Sequence, residues 1–323
     1  MDINNKRILI VGIGFYDYER YIVEYLESIG AKVTYISSDI HFFFKGLFHR
    51  CGLHAIANRI VEKKLDGLIM KQPHDMDYVV LIKALNLNTH HFHLIMQNNP
   101  QAYTVLYLWD SINRLYNKKD ILSFDGHIMT FDRHDATEYG FKFRPLFFRT
   151  ALNKCIDTTK YDISFVGYDH TLRYKVVKAI KRQCESEGLR YKFVLLTSAR
   201  WKFIDRHITH RINKEDASLF VTDKLSYKEY MDILNDSSVI LDVSHPKQTG
   251  LTIRTIETFG LGKKLVTTNK DIKYYGFNSD QYYILDADNI HIDEDFIKKP
   301  LVTASDMSRY TMKCFIEDLF GEK

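Results

Sequence analysis

The residues of this chain best suited to chemistry lie between positions 237 and 269, SSVILDVSHPKQTGLTIRTIETFGLGKKLVTTN. Thr249 and Gly250 stand just before a segment of helical period that carries Arg254 and Glu257 three residues apart. A cation in the first turn of a helix faces the positive end of the helix dipole, which disfavours it unless an anion is near. The free amides of that turn suit the same anion. Thr249, Gly250 and Leu251 would let a diphosphate approach those amides, and Arg254 would meet its charge. Glu257, one turn on, has the acceptor oxygens that sugar hydroxyls need. The alternative is an Arg254–Glu257 pair at helical spacing on the surface. His245 and Lys247, in the polar loop ahead of the helix, are candidates for contact with a sugar or a phosphate, His245 also for a catalytic role.

These residues need a scaffold to position them. Val239, Ile240 and Leu241 form a β-branched run of the kind found in a parallel strand covered on both faces. The spacing of Ile253, Ile256, Glu257 and Gly260 predicts a helix that ends at Gly260 and Gly262, and positions 264–268 predict the next strand. Loops at the carboxyl ends of parallel strands are where open α/β sheets bind their ligands.

The stretch GLTIRTIETFGLGKKLVTTN resembles the donor-sugar segment of GT-B glycosyltransferases, especially the spore-maturation-protein and polysaccharide-biosynthesis branches of glycosyl transferases family 1. The resemblance implies an α/β protein of two Rossmann-like, doubly wound domains facing a central cleft. It implies transfer of a sugar from a nucleotide-sugar donor to a polysaccharide, lipopolysaccharide or lipid-linked oligosaccharide, with no metal and no cofactor. Glu257 matches the glutamate that contacts the ribose. Many retaining members carry a second glutamate eight positions earlier, where this chain has Thr249. A non-catalytic nucleotide- or glycan-binding protein of the same fold is the alternative, and that missing glutamate supports it.

The chain has 323 residues, enough for two domains of ordinary size. With 45 basic and 41 acidic residues its net charge is +4, compatible with attraction to phosphates or an anionic membrane face but not indicative of nucleic acid. Four cysteines, far apart and without a CxxC pair, fit reduced thiols better than a zinc site or a disulfide framework. The first residues are neither a signal peptide nor a membrane span, so a cytoplasmic protein is expected. HFFFKGLFHR at 41–50 sets four phenylalanines among basic residues. It suits contact with the inner face of a cell membrane or a lipid-linked acceptor, or else a hydrophobic segment folded onto its own domain.

In the first half, KRILIVGIG predicts a strand and a glycine turn, followed by a helix over 18–29 and a strand over 31–36. Gly12 and Gly14 begin a dinucleotide fingerprint, but Asp17 stands where the third glycine belongs. Gly14 and Phe15 are therefore candidate acceptor contacts in a plain turn. Further strands are expected at 78–82, 102–108, 127–131 and 144–148. Trp109 and Asp110 follow the fourth strand: Trp109 is a candidate acceptor contact and Asp110 a candidate general base, with Asp110 or Ser111 alternatively capping the next helix. His90, His91 and His93 share a predicted helix, but adjacent histidines face different sides and no nearby carboxylate completes a metal cluster.

The domains are expected at 1–150, for the acceptor, and 151–303, for the donor, with a helix over 304–323 crossing back by resemblance. The second α/β pattern has strands at 162–166, 191–196, 219–225, 271–277 and 282–285, besides those named above. Arg173, in the first turn of the helix after 162–166, is a second candidate phosphate contact. Ser226 and Glu229 form a capping-box pattern. By resemblance, Lys224 and Leu225 just before it are candidate nucleobase contacts. Residues 199–211 are basic and bulky but lack the repeated aromatic platforms of a single-strand binder.

Overall fold

The computed structural model describes residues 3–14, 17–40, 51–149, 159–170, 172–246, 248–286 and 288–321. The chain divides into two units, one of Met1–Pro145 with Met312–Lys323 and one of Leu146–Thr311.

Unit 1 is built on a sheet of six parallel strands, β1 (Arg7–Gly12), β2 (Lys32–Ser37), β3 (Tyr78–Ile82), β4 (Tyr103–Leu108), β5 (His127–Thr130) and β6 (Lys142–Phe143), in the order β2-β1-β3-β4-β5-β6. Every residue of β3 (YVVLI) and β4 (YTVLYL) is buried, which is why these segments, Thr104 apart, are hydrophobic along their length instead of alternating. The connections run through α1 (Tyr18–Ser28), α2 (His54–Met70), α3 (Thr89–Asn98), α4 (Lys118–Leu122) and α5 (Arg133–Tyr139). Leu9, Val11, Leu81, Leu106 and Leu108 pack with Phe92 and Ile95 of α3 in one continuous core.

Unit 2 repeats the plan with β7 (Tyr161–Tyr168), β8 (Tyr191–Leu196), β9 (Phe220–Val221), β10 (Ser237–Asp242), β11 (Lys264–Thr267) and β12 (Tyr282–Ile284), all parallel, in the order β12-β11-β10-β7-β8-β9. Its helices are α6 (Arg173–Glu187), α7 (Ala199–His207), α8 (Tyr227–Asn235), α9 (Ile253–Gly260) and α10 (Glu294–Lys298). The first strand of this unit, β7, pairs on one side with the second and on the other with the fourth. The winding therefore reverses between β7 and β10, where a doubly wound sheet opens a crevice. The Ser226–Glu229 capping box forms at the start of α8. Gly260 lies against the Phe148 ring, which a β-carbon there would approach to 2.7 Å.

The last helix, α11 (Met312–Phe320), belongs to unit 1. Phe315 meets Tyr107 edge-on at 5.0 Å and Phe320 meets Tyr78 at 4.7 Å. Arg144, only 1% exposed, reaches Asp318 of this helix at 2.9 Å.

Several elements differ from expectation. The strand predicted at 144–148 forms instead as β6 at 142–143, because its register ends where Arg144 donates to the Thr130 carbonyl and Pro145 has no N–H to continue the ladder. The strand at 219–225 shortens to β9, and 271–277 is a 3₁₀ turn (Lys270–Tyr274) started by the Asn269 side chain. Among the described residues, no helix is long and apolar enough to cross a membrane.

Candidate functional site

In unit 2 the site grows from the last residue of β10. Asp242 is fully buried, and its carboxylate accepts hydrogen bonds from Thr252 Oγ1 and Thr255 Oγ1, both at 3.0 Å. Thr252 in turn accepts from the Thr255 amide at 3.2 Å, as the N-cap of α9. The loop between them is fastened by Asn269, whose Nδ2 donates to the carbonyls of Thr249 (3.1 Å) and Gly250 (3.2 Å). Side-chain hydrogen bonds thus tie the strand end, the 249–250 stretch of the loop and the helix start together.

Arg254 completes that piece. Its Nη1 donates to Asp242 Oδ1 at 2.5 Å and its Nη2 to the Val166 carbonyl, while the guanidinium lies 4.9 Å over the Phe165 ring. It is 8% exposed. The anion that compensates a first-turn arginine here is therefore Asp242. The pair with Glu257, weighed as the alternative, does not form: Glu257 is buried and accepts from the Tyr227 hydroxyl at 3.0 Å. Tyr227 itself lies under the Arg149 guanidinium at 3.9 Å. Gly167 makes room for Arg254, since a β-carbon there would come within 2.6 Å of Nη2.

Arg173 bridges the two strands at the reversal. Its Nε donates to the Val243 carbonyl at 3.0 Å and its Nη1 to the Tyr168 carbonyl at 2.9 Å, so it ties the loop after β7 to the loop after β10. His170 and His245, one from each loop, bring their rings to 5.9 Å. His170 was not legible as a site residue, although its place two residues beyond β7 is a signal. Arg173, His245, Thr249, Gly250, Leu251 and Arg254 all belong to the loops and helix starts at this reversal. Leu225 packs half-buried against Val166, Val194 and Leu196 on one face of the sheet, and Lys224 beside it is exposed. Lys247, Phe15 and the 41–50 segment lie outside the described residues.

In unit 1, Asp110 follows β4 and is held between Lys83 Nζ at 2.8 Å and Arg114 Nη1 at 2.9 Å. Lys83 and Ala84 have positive φ angles of 66° and 45°, conformations that cost a side-chain-bearing residue about 1–3 kcal/mol and often mark functional loops. Lys83 was not anticipated from sequence. Trp109 is buried, edge-on to Tyr18 at 6.0 Å and to Tyr107 at 6.2 Å. Ser111 does not cap the turn that follows. Its hydroxyl donates to Asp132, and Asp135 accepts from the Ile112 amide at 2.7 Å. Burial, with Asp132 adding like charge, pushes the Asp135 carboxyl up to about 6 against the opposing pull of that amide.

Gly14 has φ 71° and donates its amide to Glu19 Oε2 at 2.7 Å. A carboxylate approaches the histidines of α3, though among the described residues it completes no metal-binding group with them. Asp66 of α2 lies 3.1 Å from His90 Nε2 and 3.5 Å from His91 Nε2, one carboxylate reaching both rings although they are neighbours in sequence. Among the described residues, no group of three or more His, Cys, Asp or Glu is placed to hold a metal ion.

No family model matches the chain, and no curated protein sequence matches it. Among solved structures it is similar to UDP-GlcNAc 2-epimerase of Methanocaldococcus jannaschii in complex with UDP-GlcNAc and UDP, at 11% identity and a TM-score of 0.50, covering 98% of this chain and 93% of that one. It is also similar to a glycosyltransferase from Rickettsia africae ESF-5, at 13% identity and a TM-score of 0.51, covering 98% and 94%. These likenesses establish the fold, which is GT-B: two Rossmann-like units, each wound on a six-stranded parallel sheet.

Proposed function

We propose that the chain is a glycosyltransferase that takes a sugar from a nucleotide-sugar donor bound at the β7/β10 reversal of unit 2. The observation that carries this reading is the pre-built end of β10. Asp242, Thr252, Thr255, Arg254 and Asn269 fix a loop and helix start at a switch point, and Arg173, His170 and His245 gather there from two strands. A helix start and cations held in place are what a leaving diphosphate needs, because charge develops on it in the transition state and preformed groups need not reorganise. The M. jannaschii protein of similar fold was crystallised with UDP-GlcNAc and UDP, which supports a nucleotide sugar as the ligand.

In this reading Arg173 and His245, with Lys247, act on the diphosphate or the sugar. Thr249, Gly250 and Leu251 shape the approach, Glu257 meets the ribose, and Lys224 and Leu225 flank the base. Arg254 acts through Asp242, holding the loop. The acceptor is a glycan or lipid-linked glycan taken by unit 1, with Gly14, Phe15 and Trp109 near it and Asp110 as base. The transfer needs neither metal nor cofactor, and the protein works in the cytoplasm, touching the inner membrane face through 41–50. The second reading, a nucleotide- or glycan-binding protein without turnover, is favoured by the double pairing of Asp110 with Lys83 and Arg114, which leaves the candidate base engaged.

A thermal-shift panel of UDP, GDP, ADP, CMP and NAD tests the donor site, and nucleotide release from the matching nucleotide sugar separates transfer from binding alone. A ligand at one hundred times its Kd raises stability by about 2.7 kcal/mol, a readable shift. Stabilisation by one nucleotide with release of product supports the transferase. Stabilisation without release supports the binding protein, and a response to NAD alone overturns the nucleotide-sugar donor site.

A further inference from the structure

Unit 1 has the same strand–loop–helix arrangement after β1 that anchors the proposed donor site of unit 2, but the amides of Ile13 and Gly14 are already taken. Glu19, in the first turn of α1, is 1% exposed. Its Oε1 accepts from the Ile13 amide at 3.1 Å, and its Oε2 accepts from the Gly14 amide at 2.7 Å and from the Tyr35 hydroxyl at 2.6 Å. Three donors converge on one buried carboxylate, the arrangement that a bound phosphate oxygen would otherwise demand. Asp17, the residue preceding α1, has φ 60° and makes no side-chain cap, and the carboxylate of Glu19 reaches back to the loop amides ahead of the helix. Gly12 is required for this: a β-carbon there would stand 2.2 Å from Glu19 Oε2. Burial and the Glu19 hydrogen bond both push the Tyr35 phenol well above its usual range, so it stays a donor.

We propose that Glu19 is a built-in anion that determines specificity by closing the first strand–helix loop of unit 1 to phosphate-bearing ligands. A dinucleotide or nucleoside diphosphate arriving at Gly12–Gly14 meets no free pair of amides and a fixed negative charge in their place. What binds beside this loop does so through uncharged groups such as sugar hydroxyls. The closure of unit 1 stands on the geometry of Glu19 alone; the restriction of the nucleotide to unit 2 rests on the proposed function.

The test uses the full chain and inorganic pyrophosphate at constant ionic strength, with wild type, Glu19→Ala, Arg173→Ala and the Glu19→Ala/Arg173→Ala double variant. Removing Glu19 vacates the loop, so Glu19→Ala gains a saturable rise in Tm with pyrophosphate that exceeds the wild-type response and persists in the double variant. A response no larger than wild type, or one that vanishes with Arg173→Ala, overturns the proposal. Absence of any pyrophosphate response in wild type and Arg173→Ala counts against the donor site of unit 2 and leaves the Glu19 comparison readable. Should Glu19→Ala not fold, the wild-type protein labelled with 15N-glycine decides. The Gly14 amide resonance, assigned by its loss in Gly14→Asn, stays in place under saturating pyrophosphate if Glu19 holds the loop, and a saturable shift overturns it.

Discussion

Arg254 Nη1 lies 2.5 Å from Asp242 Oδ1, and both side chains are buried at the end of β10. The pair holds the first turn of α9 against the strand it follows. Breaking a buried ion pair leaves a charge without compensation, at a cost of about 3–5 kcal/mol. Arg254→Ala is therefore expected to lower the urea midpoint strongly, and nucleotide binding falls with it because the loop loses its anchor. Full stability in Arg254→Ala, with only nucleotide binding lost, would instead make Arg254 a direct phosphate ligand.

Arg173 is expected to behave differently. It is half-buried and hydrogen-bonds two carbonyls at the strand reversal, those of Val243 and Tyr168. Arg173→Ala should reduce nucleotide affinity by tenfold or more, roughly the 1.5–3 kcal/mol of a charge-assisted hydrogen bond, with a smaller stability loss than Arg254→Ala. Equilibrium binding and urea denaturation on the same preparations give the comparison.

The segment from β10 to β11 was legible because its hydrophobic period changes from strand to helix within one short loop, and its glycines mark the exit. The role of Arg254 was not legible. Its partners are non-local, Asp242 twelve residues earlier and Val166 eighty-eight earlier, and only the closed sheet brings them together. The Gly12–Gly14 turn could be read from the sequence, but Glu19 as the group filling it could not, since the carboxylate reaches its donors only once α1 is packed. The same holds for β6, whose two residues show no pattern of their own, and for Lys83, placed beside Asp110 by a left-handed turn that no glycine announces.

Asp135 gives stability a distinct pH dependence. Its carboxyl titrates near 6 when folded, against 3.8 when exposed, so between about pH 4 and pH 6 the native chain binds more protons than the unfolded one. From this group, stability falls as pH rises through that window and stays lower above it. Asp135→Asn removes the penalty and keeps an oxygen for the Ile112 amide. It should stabilise the protein at pH 8 by up to about 3 kcal/mol, the gain fading towards pH 4. Urea denaturation of both proteins across pH 4–8 measures the difference, and a pH-independent difference would count against it.

Arg144 and Asp318 join α11 to the body of unit 1 across 2.9 Å, with Arg144 buried and Asp318 partly exposed. Asp318→Asn leaves the buried guanidinium without its counter-charge and should cost about 1–3 kcal/mol, less than a fully buried pair because water reaches Asp318. Faster proteolytic release of the C-terminal segment in Asp318→Asn is the accompanying sign. Unchanged proteolysis and stability would show that the aromatic contacts of Phe315 and Phe320 hold the helix by themselves.

The most direct test of nucleotide binding at the β7/β10 reversal is calorimetric titration of wild type and Arg173→Ala with UDP, GDP and ADP. Binding of one nucleoside diphosphate at a single site, weakened at least tenfold in Arg173→Ala, is the result expected. No binding by any of the three, or equal binding by both proteins, would contradict a donor site there.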